Sequence, residues 1–329
     1  MKYKYYILVV LIWSQNIVFG QELPNTPEAA LEAYIDMREG YKHSATKEFS
    51  RNEQFAMDDW CLAMDKKFPN TAETEYAWYL NNHFYSDASS RIKKAYDLDP
   101  TDQRIIRSLF GYYLMQQDLA NAKMLLPLLV WSQNELNYYK DALPRTGLFV
   151  TSSEKDALPL YYLQLTEKIG GSVKIVCMDH LISESFRANQ MKSYKGGINE
   201  FLGAENSYLK ELMSSNADVY LSATVSQGYL TANENNIFLV GLSYQTNPPS
   251  QYEQLNAFWS KIAEKDWINL NLTNTQKRLY TNYLPPLLTL YKLKLAKGND
   301  DPVLKKGIVA LADKLSQTKN VEMILKSYD

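Results

Sequence analysis

Four short apolar runs constrain this chain more than any other feature. They are Gly147 to Thr151 (GLFVT), Ser172 to Met178 (SVKIVCM), Asp218 to Ala223 (DVYLSA) and Ile237 to Tyr244 (IFLVGLSY). Each has the length and the β-branched or aromatic content of a buried strand. Helical stretches separate them: Asp156 to Lys168, ended by Gly170-Gly171, then 181–192 and 198–214. Strands that alternate with helices predict a small, Rossmann-like α/β layer of roughly four strands, at least partly parallel, over residues 139–247.

The chain before this layer reads as helix. Thr26-Pro27-Glu28 combines an N-cap, a proline at the first helical position and an acid in the first turn. Helices follow over 27–41 and 46–67, with Pro69 as a stop. Glu73 to Phe84 and Ala88 to Leu98 then form a pair that closes at Asp99-Pro100. The spacing of Ala88, Ile92, Ala95 and Pro100 resembles the second helix of a tetratricopeptide repeat, with Tyr79 as the inward aromatic of the first. A shift of 34 residues partly repeats it: Tyr113 follows Tyr79, Ala122 follows Ala88, Leu126 follows Ile92 and Leu129 follows Ala95. Small alanines let paired helices approach, and large residues fill the groove of the next hairpin. Residues 21–138 are therefore expected to be TPR-like hairpins, the first of them degenerate.

Residues 248–329 return to helix, over about 250–265, 274–297, 302–317 and 320–327, with Pro285-Pro286 expected to kink or break the second. The expected fold class is mainly α with a small α/β module: TPR-like hairpins and C-terminal helices flanking a roughly four-stranded, partly parallel sheet.

Residues 1–20 carry the layout of a signal peptide. Lys2 and Lys4 precede the apolar run Tyr5 to Trp13. Val18 and Gly20 then place small residues three and one before Gln21, so cleavage is expected between Gly20 and Gln21. A spanning helix needs about 20 apolar residues, and this run stops short. No later stretch approaches that length, and there is no cysteine near position 20 to carry a lipid. The expected location is the periplasm, with secretion as the alternative, and no transmembrane segment remains in the mature chain.

Loss of the leader moves the net charge from −2 to −4. A weakly acidic chain without basic blocks makes a poor nucleic-acid binder. The 25 tyrosines fit helical packing and also sugar or peptide surfaces. Cys61 lies in a helical segment and Cys177 in a strand-like run, so two separately buried free thiols are expected rather than a disulfide.

From Asp141 onward the chain resembles the soluble C-terminal region of large polytopic bacterial membrane proteins, a family of unknown function related to protein O-mannosyltransferases. Residues 141–181 (DALPRTGLFVTSSEKDALPLYYLQLTEKIGGSVKIVCMDHL), 218–246 (DVYLSATVSQGYLTANENNIFLVGLSYQT) and 277–299 (KRLYTNYLPPLLTLYKLKLAKGN) carry the resemblance. It implies an extracytoplasmic α/β module joined to TPR-like helices. The membrane-embedded catalytic half of that family is absent here. Where the family tends to carry a Gly-Asp-Asn-Asp-Thr turn, this chain has Ser153, Glu154, Lys155, Asp156 and Ala157, and only Asp156 agrees.

In an open α/β sheet, ligands bind beyond the C-terminal strand ends. That directs attention to Thr151, Ser152 and Ser153, to Asp156, to Asp179 and His180, and to Ser222 and Thr224. Ser153, Asp156, Asp179 and His180 are the candidate catalytic residues, although no Gly-x-Ser-x-Gly elbow accompanies them and strand-end polar residues commonly cap helices. His43, His83 and His180 are scattered, with no HExxH, Cys/His cluster or calcium loop, so no metal is expected. No nucleotide fingerprint follows the first strand, and no cofactor is expected. Asn271-Leu272-Thr273 fits a glycosylation acceptor, but is expected to cap the helix that starts near Thr275. The functional expectation is an exported binding or scaffold protein that engages a protein partner in an envelope complex. Tyr79, Tyr112, Tyr113 and Trp131 are its candidate contact residues. The alternative is an enzyme, or enzyme accessory, that acts on glycans or glycoproteins at the strand ends.

Overall fold

A computed structural model of the chain describes residues 22–41, 48–82, 88–190, 192, 194–196, 201–246 and 248–328. The expected signal peptide with its cleavage pair Gly20 and Gln21, and both His43 and His83, lie outside these residues. The protein is mainly α-helical with a small α/β module. It divides into two compact units, one ending at Leu125 and the other beginning at Leu126.

The first unit holds α1 (Pro27–Gly40), α2 (Arg51–Lys67), α3 (Ala72–Asn81), α4 (Ala88–Leu98), α5 (Gln103–Met115) and α6 (Leu119–Leu125). Local chemistry sets the starts. The Thr26 hydroxyl accepts the Ala29 N–H at 3.2 Å, and Ser50 and Glu53 form a reciprocal capping box on α2. Ala88, Ile92 and Ala95 of α4 are all fully buried, which lets α4 lie close against α3. The buried Glu75 carboxylate of α3 ties the pair together, receiving Arg91 at 2.8 Å and Lys94 at 2.6 Å.

The 34-residue recurrence holds only in part in the second pair. Ala122 is buried as Ala88 is, but α6 ends at Leu125 and a short 3-10 turn follows over Leu126–Leu128. Pro127 is the reason: it has no N–H to donate and it disfavours helical backbone in the residue before it. Leu125 is consequently buried, and Leu126, expected to repeat Ile92, is only half-buried.

The second unit opens with α7 (Gln133–Ala142), so the boundary expected at 138/139 falls inside a helix. The α/β module follows: β1 (Gly147–Thr151), α8 (Glu154–Thr166), β2 (Val173–Cys177), α9 (Glu184–Gln190), α10 (Glu205–Ser215), β3 (Val219–Ser222), α11 (Gln227–Asn233), β4 (Ile237–Leu239) and β5 (Ser243–Thr246). The strand order is β2-β1-β3-β5-β4. β1 runs parallel to β2 and β3, with Gly147 beside Val173 and Leu148 beside Val219. β5 is antiparallel to both β3 and β4. The sheet is mixed and has five strands, in keeping with the roughly four expected, the extra one arising within the fourth run. The run Ile237 to Tyr244 reverses at Gly241, whose φ of +143° suits glycine, and the Val240 N–H bonds the Ser243 carbonyl at 2.9 Å to close the hairpin.

Side chains blunt both sheet edges. On β2 the Tyr161 hydroxyl donates to the Ile175 carbonyl at 3.0 Å, and Gln164 donates to the Val173 carbonyl at 2.8 Å. On β4 the Gln251 amide donates to the Leu239 carbonyl at 3.0 Å. Such contacts occupy groups that would otherwise recruit a further strand.

Five helices complete the unit: α12 (Gln251–Ile262), α13 (Asn274–Tyr280), α14 (Leu284–Ala296), α15 (Pro302–Lys314) and α16 (Thr318–Lys326). Thr273 caps α13 in a box with Gln276, so the hydroxyl of the Asn271-Leu272-Thr273 motif is used as a helix cap. The break expected at Pro285-Pro286 lies between α13 and α14, where the prolines occupy the first turn of the new helix. One core joins the α/β module to these helices: Tyr138 and Tyr139 of α7, Phe149, Ile175 and Leu160 meet Trp259, Tyr283, Leu287 and Ile308.

Candidate functional site

Three parallel strands end along one edge of the sheet, at Thr151, Cys177 and Ser222. The chain leaves β1 toward β2 and later returns across β1 to β3. The crevice between β1 and β3 is therefore the topological switch point, where this architecture places ligands. Asp156 sits beside it. Its carboxylate accepts the Tyr139 hydroxyl of α7 at 2.7 Å and the Ser153 hydroxyl at 3.2 Å, and it is hydrogen-bonded to the Thr224 side chain. Burial pushes the Asp156 carboxyl above its ordinary range, and these three hydrogen bonds act against that shift by favouring the charged form. Thr224 in turn shares a 2.8 Å hydrogen bond with Ser222.

Asp179 and His180 belong to a separate network beyond β2. The Asp179 carboxylate accepts the Glu154 backbone N–H at 3.0 Å. It thereby caps α8, whose own N-cap residue Ser153 makes no side-chain capping bond. His180 is fully buried, with Nε2 at 2.7 Å from Glu154 Oε1 and its ring edge-on to Phe186 at 5.3 Å. The four candidates thus form two structural clusters. Ser153 and Asp156 bind each other and bridge to α7 and Thr224, whereas Asp179 and His180 fasten the start of α8 to the loop after β2. No group of three or more His, Cys, Asp or Glu among the described residues is arranged to hold a metal ion. Cys61 and Cys177 are both buried and unbridged, and burial raises the Cys61 thiol far above its ordinary value.

The aromatic candidates also separate. Tyr79 is a correction: it is fully buried, stacked on Tyr76 at 6.1 Å, and its hydroxyl donates to the Ser108 carbonyl at 3.3 Å. It cannot meet a partner without opening the α3–α5 packing. Trp131 lies in the second unit, half-buried against Tyr162 at 6.3 Å. Tyr112 and Tyr113 are half-buried neighbours on α5, with ring centres 6.0 Å apart.

Tyr113 opens onto a groove of about 440 Å³ formed by α4, α5 and α6. Lys93, Tyr96 and Asp97 come from one face of α4, at the spacing that aligns side chains along a helix. Leu109 and Tyr113 come from α5, one turn apart. Asn121, Met124 and Leu125 come from α6. Met124 is 68% exposed. Lys93 Nζ stands 5.9 Å from the Tyr113 ring centre, and burial raises the Tyr113 hydroxyl above its ordinary value, with the nearby Asp118 acting in the same direction.

Several of these residues escape a linear reading. Glu154 opens α8, two residues before the start expected at Asp156; an acid directly after Ser152-Ser153 is the local signal for that earlier start. Tyr139 had no local signal, since its partner lies 17 residues away. Lys93, Tyr96 and Asp97 follow helical spacing on α4, beside the face that carries Ala88, Ile92 and Ala95. Comparison with known protein families, with curated proteins and with solved structures finds no match to this chain.

Proposed function

We propose that this is an exported binding protein whose helical hairpins hold a short segment of a partner protein in the groove between α4, α5 and α6. The observation that carries the reading is the lining: an apolar floor of Leu109, Tyr113 and Leu125, an exposed Met124 and a polar rim of Lys93, Asp97 and Asn121. Aromatic and methionine surfaces that can adapt to a guest, bordered by charges that fix its register, are the common chemistry of peptide recognition. The fitting guest has one large apolar anchor side chain flanked by polar residues. The polar groups at the strand ends support this reading over an enzymatic one, because they are engaged in helix capping and crosslinks and form two networks. Export rests on the sequence of residues 1–20, and N-terminal sequencing of the cell-derived protein tests it: the mature chain begins at Gln21.

Selection of displayed random peptides on the purified mature chain tests the groove. Enriched peptides share an apolar anchor and lose at least tenfold in affinity on Met124→Glu, which buries a charge against the anchor, while circular dichroism stays unchanged. Peptides that bind the variant equally well, or a selection that enriches no anchor, overturn the proposal.

A further inference from the structure

The charges around the α4–α5–α6 groove are few and can be placed one by one. α4 contributes Lys93 and Asp97, one turn apart on the same face. α5 contributes Leu109 and Tyr113 and no charge. Asp118 stands at the turn into α6, where its N–H donates to the Tyr113 carbonyl at 2.8 Å. Its carboxylate receives the lining residue Asn121 through the side-chain amide at 2.5 Å and the backbone N–H at 3.1 Å. These bonds hold the Asp118 carboxyl below its ordinary value, so it is charged at neutral pH. Asp97 is exposed and makes no hydrogen bond or ion pair among the described residues. Two neighbouring lysines do not offset these acids: Lys94 is turned to the buried Glu75 at 2.6 Å, and Lys123 is not part of the lining. Asp97 and Asp118 both act on the Tyr113 hydroxyl in the same direction as its burial does. Lys93 shows where a cation goes in this field. Its Nζ stands 5.9 Å from the Tyr113 ring centre, inside the roughly 6 Å over which a ring face attracts a cation.

Building on the groove reading above, we propose that the guest segment carries an arginine beside its apolar anchor, and that this arginine replaces Lys93 over the Tyr113 ring. A guanidinium suits that seat better than an ammonium. It is flat enough to stack on the phenol ring while its N–H fork points outward, and it is more weakly hydrated. Asp97 is the available acceptor for the fork, and Asp118, whose oxygens already accept from Asn121, adds charge. An acidic guest would face both carboxylates for the gain of one lysine. A neutral guest would take water from both without supplying a partner. Lys93 is exposed on a flexible stem. It offsets part of the negative charge in the free protein and swings into solvent when the guest cation arrives.

Displayed random peptides selected on the full mature chain, and then synthetic copies of the enriched sequence, test this. Enriched peptides carry arginine within about two positions of the anchor. Replacing that arginine by citrulline, which keeps the shape and loses the charge, weakens binding about tenfold, the worth of one charge-assisted contact. Asp97→Asn weakens the arginine peptide about fivefold and leaves the citrulline copy unchanged. Lys93→Gln strengthens the arginine peptide about threefold, because a competing cation is gone, and also leaves the citrulline copy unchanged. Both positions are exposed, and unchanged circular dichroism verifies that the variants fold. Equal affinity for the arginine and citrulline copies, lysine or acidic residues enriched beside the anchor, no effect of Asp97→Asn, or unchanged or weaker binding on Lys93→Gln overturns the inference. An enriched anchor with no basic neighbour also overturns it, while the groove reading stands. A selection that enriches no anchor overturns both.

Discussion

Tyr139→Phe isolates the question of what Asp156 does at the sheet edge. The substitution removes one hydroxyl and no carbon, so packing around the ring is kept. The lost contact is a 2.7 Å hydrogen bond to a partly buried carboxylate. Hydrogen bonds to charged groups contribute about 1.5–3 kcal/mol, and neutral ones about 1 kcal/mol. With Ser153 and Thr224 still in place, we expect a loss of about 2 kcal/mol at pH 7. The pH dependence follows from linkage. Asp156 titrates above its ordinary value in the folded protein because of burial, so its own contribution to stability declines as pH rises through that folded value. Tyr139 opposes this decline by favouring the ionised form. Below that value Asp156 is protonated and the Tyr139 bond is a neutral one, so the cost of Tyr139→Phe falls to about 1 kcal/mol. Urea unfolding with pulsed hydrogen exchange, read at the β1 amides, reports the second unit at both pH values. A cost that is the same at acid and neutral pH would show that Asp156 keeps its proton throughout. A cost below about 0.5 kcal/mol at pH 7 would show that the hydroxyl is not holding the carboxylate at all.

Three further outcomes are expected. Glu75→Gln costs the first unit about 1 kcal/mol at neutral pH, a modest loss because Arg91 and Lys94 are part-exposed and return to water. Burial raises the Glu75 carboxyl, but the hydrogen bonds and charges of Arg91 and Lys94 outweigh it and hold the group below its ordinary value. The pair's contribution is therefore complete above the unfolded carboxylate range and disappears as pH falls through the lower folded value, so urea melts of variant and parent converge in acid. Gly147→Ala costs about 3 kcal/mol or more, because φ is +103° and the new β-carbon would lie 2.8 Å from Asp218 Cβ and collide with the Asp218 carbonyl oxygen; a thermal melt with little shift would refute the close strand approach. Cys61 and Cys177 resist iodoacetamide in the native protein and both react in denaturant without reductant; a thiol that reacts in the native state would contradict the burial of both.

Caps, stops and periodicity were legible in the sequence because they act within a few residues. Thr26 and Thr273 start helices by bonding the N–H group three positions on, and Pro285-Pro286 lies in the first turn of a new helix, where a missing N–H costs no intrahelical bond. The alternation of strand and helix likewise announced the α/β layer, with its parallel pairs, from crossover length alone. Tertiary structure decided everything that depends on which faces meet. The reversal at Gly241 made two strands from one apolar run, because a glycine gives no local sign of whether it extends or turns a chain. Pro127 ended α6 one position before the residue expected to repeat Ile92, and burial passed to Leu125. Asp179 caps a helix 25 residues earlier, and Asp156 answers to Tyr139 and Thr224 on other elements. Polar strand-end residues read alike as catalysts or as caps until their partners are known, and those partners are chosen by the packing of elements distant in the chain.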